Sequence, residues 1–107
     1  MLSFLCQDLI ISNNAAFGGH VYVMENTNIG YSVSIHQFQV IGSYCMLGMG
    51  SIVPKGADIK CGTLWYGVPA RFKKYNEVGL QRNGLAVEDM KGEDERRQSI
   101  IEERSKY

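Results

Sequence analysis

Large apolar residues recur at every sixth position over more than half of this chain. The series reads Leu5, Ile11, Phe17, Val23, Ile29, Ile35, Ile41, Leu47, Val53 and Ile59, without a miss. A period of six matches neither the 3.6-residue turn of a helix nor the two-residue alternation of a strand. It predicts a β-solenoid of hexapeptide repeats, a parallel β-helix in which three hexads close one triangular coil. Four places after each ladder residue stands something mostly small or β-branched, such as Ala15, Val21, Thr27, Val33, Cys45 and Ser51. These are expected to line the corners, with Gln39 as the polar exception. Gly30, Gly42 and Gly48 directly follow ladder residues, where a corner favours glycine. At a strand spacing of about 4.8 Å the repeats give roughly three to four coils, a stack about 17 Å high.

Such a stack has flat faces and two open ends. Between residues 1 and 70 the only charged groups are Asp8, Glu25, Lys55, Asp58 and Lys60, against 17 of the 22 in residues 71–107. The shift divides the chain into a hexapeptide-repeat β-helix over 1–70 and a C-terminal helical extension over 71–107. Bland faces predict burial against other copies in a closed cyclic oligomer. Met1–Leu5 is expected to cover one end of the stack and the C-terminal segment the other. Within the extension, Tyr75, Val78 and Leu80 read as a short helix stopped at Gly84. Ala86 to Lys106 reads as a second helix, whose many charges predict a solvated face.

Eleven basic and eleven acidic residues cancel, so there is no global electrostatic case for nucleic acid or an anionic membrane. No apolar run approaches the roughly 18 residues of a membrane span. The start, MLSFLCQDLII, lacks a basic region and carries Asp8, so it reads as buried β-structure rather than a signal peptide. Three cysteines at irregular spacing argue against a disulfide framework and fit a reducing cytoplasm. No metal-type spacing links them to the histidines, and no metal site is expected. His20 and His36 occupy non-ladder positions on neighbouring coils, so both are expected to face outward on the same side of the prism. Two imidazoles at a subunit seam can orient a hydroxyl or move a proton. Spacing alone equally allows that they only make interfacial hydrogen bonds.

Three stretches carry a resemblance: SNNAAFGGHVYV, SIHQFQVIGSYCMLGMGS and NEVGLQRNGL. In order and spacing they resemble the acyl-[acyl-carrier-protein]–UDP-N-acetylglucosamine O-acyltransferases that begin lipid A synthesis. The likeness runs over nearly the whole chain; GVPARF is its generic part. It implies a left-handed coil and a homotrimer with active sites in clefts between chains. It also implies transfer of a hydroxyacyl group from acyl carrier protein to the 3-hydroxyl of UDP-N-acetylglucosamine, with no metal or cofactor. By position, His20 matches a substrate-contacting histidine, and His36 and Gln37 match the pair lining the sugar-nucleotide cleft. Asn76 and Arg82 match residues approaching the nucleotide, while Asn83 stands where a second arginine is usual. Met49 falls where many members have glycine along the acyl cleft, which is expected to shorten the acyl chain accepted. The family's catalytic histidine falls on Met1 and its acidic neighbour on Leu2. The reading is therefore an N-terminally truncated, impaired acyltransferase with His20 as a possible substitute base. Its alternatives are a non-enzymatic trimeric binding or scaffold module and an acyltransferase altered for another nucleotide sugar.

Overall fold

The computed structural model describes residues 4–105. Two-residue strands follow one another at intervals of six: β1 (Phe4–Leu5), β2 (Ile10–Ile11), β3 (Ala16–Phe17), β4 (Tyr22–Val23), β5 (Asn28–Ile29), β6 (Ser34–Ile35), β7 (Val40–Ile41), β8 (Met46–Leu47) and β9 (Ile52–Val53). Each of the first six pairs in parallel with the strand three places on, which builds a triangular prism. Its first face is β1–β4–β7, its second β2–β5–β8 and its third β3–β6–β9. The ladder residue is the second of every strand and fills the interior: Val23, Ile29, Ile41, Leu47 and Ile59 are fully buried. At the lower end the same ladder is open, with Leu5 49% and Ile11 38% exposed. Phe4 and Leu5 extend the ladder as β1 rather than folding over that end; Met1, Leu2 and Ser3 lie outside the described residues.

β10 (Thr63–Gly67) continues the second face above β8, and β11 (Ala70–Tyr75) returns antiparallel to it after a cis Val68–Pro69 bond. Strand therefore gives way to helix at Asn76, some residues after the charge shift. Arg71, Lys73 and Lys74 belong to an exposed edge strand, where such charges block further pairing. α1 (Glu77–Arg82) is capped by the Asn76 side chain, which accepts from the Gly79 amide. After a 3₁₀ turn at Val87–Asp89, α2 (Met90–Arg104) completes the chain.

The corners are built by a second sixfold series. Asp8, Asn14, His20, Asn26, Ser32, Phe38 and Tyr44 all have positive φ, and Gly50, Gly56 and Gly62 continue the register. In that conformation the corner amide points along the stack. Phe38 N–H donates to the Gly19 carbonyl at 2.9 Å, and Gly50 N–H to that of Tyr31 at 2.8 Å. The glycines after ladder residues have a different purpose. A Cβ on Gly42 would lie 2.5 Å from the amide nitrogen of Cys61, so close approach of the next coil excludes a side chain there. Inward polar residues return hydrogen bonds to corner carbonyls of the next coil. Thr27 Oγ1 donates to Gly42 at 2.6 Å, Cys45 Sγ to Lys60 at 3.0 Å and Gln39 Nε2 to Pro54 at 3.4 Å. That accommodates Gln39 in the corner series.

α2 keeps one solvated side, with Lys91, Glu95, Gln98, Glu102 and Glu103 exposed, and docks the other against the prism. It crosses the first face diagonally, from the cluster of Met24, Cys61, Leu80 and Met90 down to His20. The residues at 90, 93–94, 97, 100 and 104 share one side, but that side is largely polar. Glu93 accepts from Ser43 Oγ at 2.7 Å, and Asp94 from the Cys61 amide at 2.7 Å. Arg97 is buried, donating to the Val40 carbonyl at 3.0 Å and to Asp58 at 2.7 Å. Arg96 pairs with Glu25 at 3.0 Å. Burial works to raise the Glu25 carboxyl, but backbone hydrogen bonding, Arg96 and Cys6 outweigh it and hold it below its ordinary value of 4.5.

Arg97→Ala strands the Val40 carbonyl and is expected to lower the unfolding free energy in urea by about 2 kcal/mol. Arg96→Ala, at a half-exposed pair, should cost under about 1 kcal/mol. Because the Glu25 pKa is lowered on folding, its contribution is present above pH 4.5 and lost as pH falls through the lower folded value. The gap in melting temperature between the native chain and Glu25→Gln should therefore close on acidification below pH 4.5.

Candidate ligand site on the prism edges

His20 and His36 share the edge between the third and first faces rather than a flat side. His20 is an exposed corner residue with φ 59°. Its ring lies parallel to that of Phe38, one coil on, with centroids 5.1 Å apart and 6° between planes. Its backbone carbonyl accepts from Arg104, whose guanidinium sits 5.5 Å over the Tyr22 ring. His36 Nδ1 lies 3.1 Å from the Gln37 carbonyl. A carbonyl can only accept, so Nδ1 is the donor in this contact, and in the neutral ring Nε2 is then the acceptor. The Gln37 side chain is exposed beside it. Phe38 was not singled out from the sequence. A bulky residue at φ 62°, 64% exposed, carries backbone strain of about 1 kcal/mol and covers one face of His20. The signal was available: Phe38 stands eighteen residues, one full coil, after His20.

Asn76 and Arg82 lie at the edge between the first and second faces. There α1 and the corner residues Asn26 and Tyr44 enclose an open cavity of about 430 Å³, whose walls include Asn28, Arg82 and Asn83. Asn76 is committed to structure: its Nδ2 donates to the Tyr44 carbonyl at 3.0 Å while its Oδ1 caps α1. Arg82, in the last turn of α1, is exposed and has no ion-pair partner among the described residues. Asn83 donates to the Gly79 carbonyl at 2.8 Å, and Asp8 sets a carboxylate on the cavity wall. Met49, 75% exposed, stands on the third edge, between the second and third faces. The sequence-selected residues thus fall on three different edges of one chain. Met1 and Leu2 lie outside the described residues. Among the described residues no group of three or more His, Cys, Asp or Glu could hold a metal ion, and no helix is long and apolar enough to cross a membrane.

A three-faced parallel β-helix with an imidazole edge and a short helical tail defines a hexapeptide-repeat protein of the acyltransferase type. No family model matches the chain. It is 35% identical over 83 residues to the acyl-[acyl-carrier-protein]–UDP-N-acetylglucosamine O-acyltransferase of Synechocystis sp., across 78% of this chain and 29% of that one. Among solved structures, Arabidopsis UDP-N-acetylglucosamine acyltransferase is 36% identical with a TM-score of 0.70, across 78% of this chain and 28% of that one. The Campylobacter jejuni UDP-N-acetylglucosamine acyltransferase is 29% identical with a TM-score of 0.74, across 87% and 36%. The chain is a member of this acyltransferase family and shares its left-handed parallel β-helix. It spans about a third of the length of the relatives it matches.

Phe38→Gly removes both the backbone strain and the ring over His20. Stability should change by less than about 1 kcal/mol. The His20 ring protons should move downfield in the NMR spectrum while those of His36 stay put. An unmoved His20 signal would show that the stack does not form in solution.

Proposed function

We propose that copies of this chain assemble into a homotrimer whose clefts bind UDP-N-acetylglucosamine and an acyl group delivered by acyl carrier protein. The observation that carries this reading is the scatter of the matched residues over three edges: only a neighbouring copy can bring one chain's edge against another's. α2 already covers the first face, which leaves the second and third for contact. The third face is bare, with Ala16, Ser34 and Ile52 outward and Ile52 45% exposed.

In such a cleft Arg82 offers a cation to the diphosphate, and the Gln37 amide and His36 Nε2 offer a donor and an acceptor to the sugar. Transfer requires the sugar 3-hydroxyl to lose its proton as its oxygen attacks the thioester carbonyl. The C–S bond then breaks and the thiolate takes a proton. In this reading His20 accepts the first proton. It stands in for the histidine that the resemblance puts at Met1, so transfer is impaired relative to the relatives while binding persists. Met49 crowds the acyl groove and favours a short chain.

Sedimentation equilibrium should give the trimer mass. UDP-N-acetylglucosamine should shift the His20 and His36 imidazole signals, and Arg82→Ala should weaken binding about tenfold. With a hydroxyacyl carrier protein present, any slow transfer should vanish in His20→Ala. Binding with no transfer would point instead to a non-enzymatic binding module. A monodisperse monomer, or imidazoles blind to the nucleotide sugar, would contradict the proposal.

A further inference from the structure

A second cavity, of about 240 Å³, opens at the upper end of the prism. Three aromatic rings line it in sequence, each set edge-on to the next. Trp65 and Phe72 have centroids 6.2 Å apart at 77°, and Phe72 and Tyr75 5.8 Å apart at 78°. Phe72 and Tyr75 are about half exposed, 48% and 45%. The Trp65 indole is fixed by donation from Nε1 to Thr63 Oγ1 at 3.0 Å. Two carboxylates complete the lining, and both are pinned. Asp58 is held by Arg97 at 2.7 Å. Asp94 spends one oxygen on the Cys61 amide, and its second has no partner among the described residues. The Lys60 ammonium stands at the same wall, 4.0 Å from Asp58, with both side chains over 60% exposed. A pair that long and that wet is weak and easily displaced.

We propose that this cavity is a binding site for a quaternary or N-methylated ammonium group. Perpendicular aromatic faces present negative π density to a bulky, carbon-clad cation, and a nearby carboxylate supplies the countercharge. An anion is disfavoured by Asp94, whose carboxylate has no ion-pair partner among the described residues. A hard metal ion needs several oxygen ligands at about 2.0–2.6 Å, and the Trp65 and Phe72 walls offer none. A neutral apolar guest would strip water from Asp94 without compensation. The rings sit on the paired strands β10 and β11, so the box exists before any ligand arrives and little ordering cost falls on binding.

Trp65 is the chain's one tryptophan, so its emission reads the site directly in the full-length protein. Choline and tetramethylammonium should shift that emission saturably. 3,3-Dimethyl-1-butanol, the neutral carbon isostere of choline, should bind at least about tenfold more weakly. Asp94→Asn keeps an oxygen for the Cys61 amide but loses the charge, and should weaken choline several-fold while leaving the isostere unchanged. Tyr75→Ala, at a half-exposed ring, should weaken choline about tenfold, with circular dichroism confirming the fold. Equal affinity for choline and its isostere would reduce the site to an apolar depression and overturn the proposal. So would a choline response unaltered in Tyr75→Ala, or no response at all.

Discussion

One backbone constraint underlies the whole molecule: at every sixth residue the chain must turn a corner and still give its amide to the coil below. A left-handed backbone conformation meets both demands at once, which is why Asp8, Asn14, His20, Asn26, Ser32, Phe38 and Tyr44 adopt it in strict register. Asn, Asp and Gly tolerate it cheaply; Phe and Tyr do not, and the surrounding hydrogen bonds and stacked ladder must hold them there. The core, the close-approach glycines and the inward polar corners all follow from this geometry. A corner side chain is pushed out from an edge, and His20 and Phe38 are therefore set out on the surface by the same turn that closes the coil.

The ladder itself was plain from residues alone, since ten apolar positions at a period of six admit few other folds. The corner series was half visible, in Asn14, Asn26, Gly50, Gly56 and Gly62, and half masked by Phe38 and Tyr44, whose conformation comes from the stack rather than from their own preference. α2 was hidden for a different reason. Its docking side is built from Glu93, Asp94 and Arg97, which satisfy carbonyls, amides and hydroxyls of the first face. A hydrophobicity pattern cannot report a helix that docks through hydrogen bonds. The hairpin of β10 and β11 escaped because its second strand is charged, as an exposed edge should be. The resemblance named candidate site residues one by one, but not their arrangement: spacing placed His20 and His36 together and could not show Asn76 already spent on capping α1.

Electrostatics follow the same division. The prism is nearly uncharged, and of the charges in the C-terminal segment Glu93, Asp94, Arg96, Arg97 and Arg104 are answered on it. Arg97 to Asp58 and Arg96 to Glu25 fasten the helix, and Arg104 reaches the carbonyl of His20. A tail that first reads as solvated is a strap between the α1 edge and the histidine edge. In the proposed trimer, its place on the first face leaves the second and third faces for the seam.

The central claim is that one chain carries the parts of a cleft that only neighbouring copies complete. Mixing two variants tests it most directly. His36→Ala and Arg82→Ala are each expected to bind UDP-N-acetylglucosamine poorly alone. After dissociation and reassembly together, calorimetry should recover tight binding in a fraction of sites, because mixed assemblies pair an intact Arg82 edge with an intact His36 edge. Mixtures that bind no better than either variant would place both residues in one chain's own site, and would contradict the account.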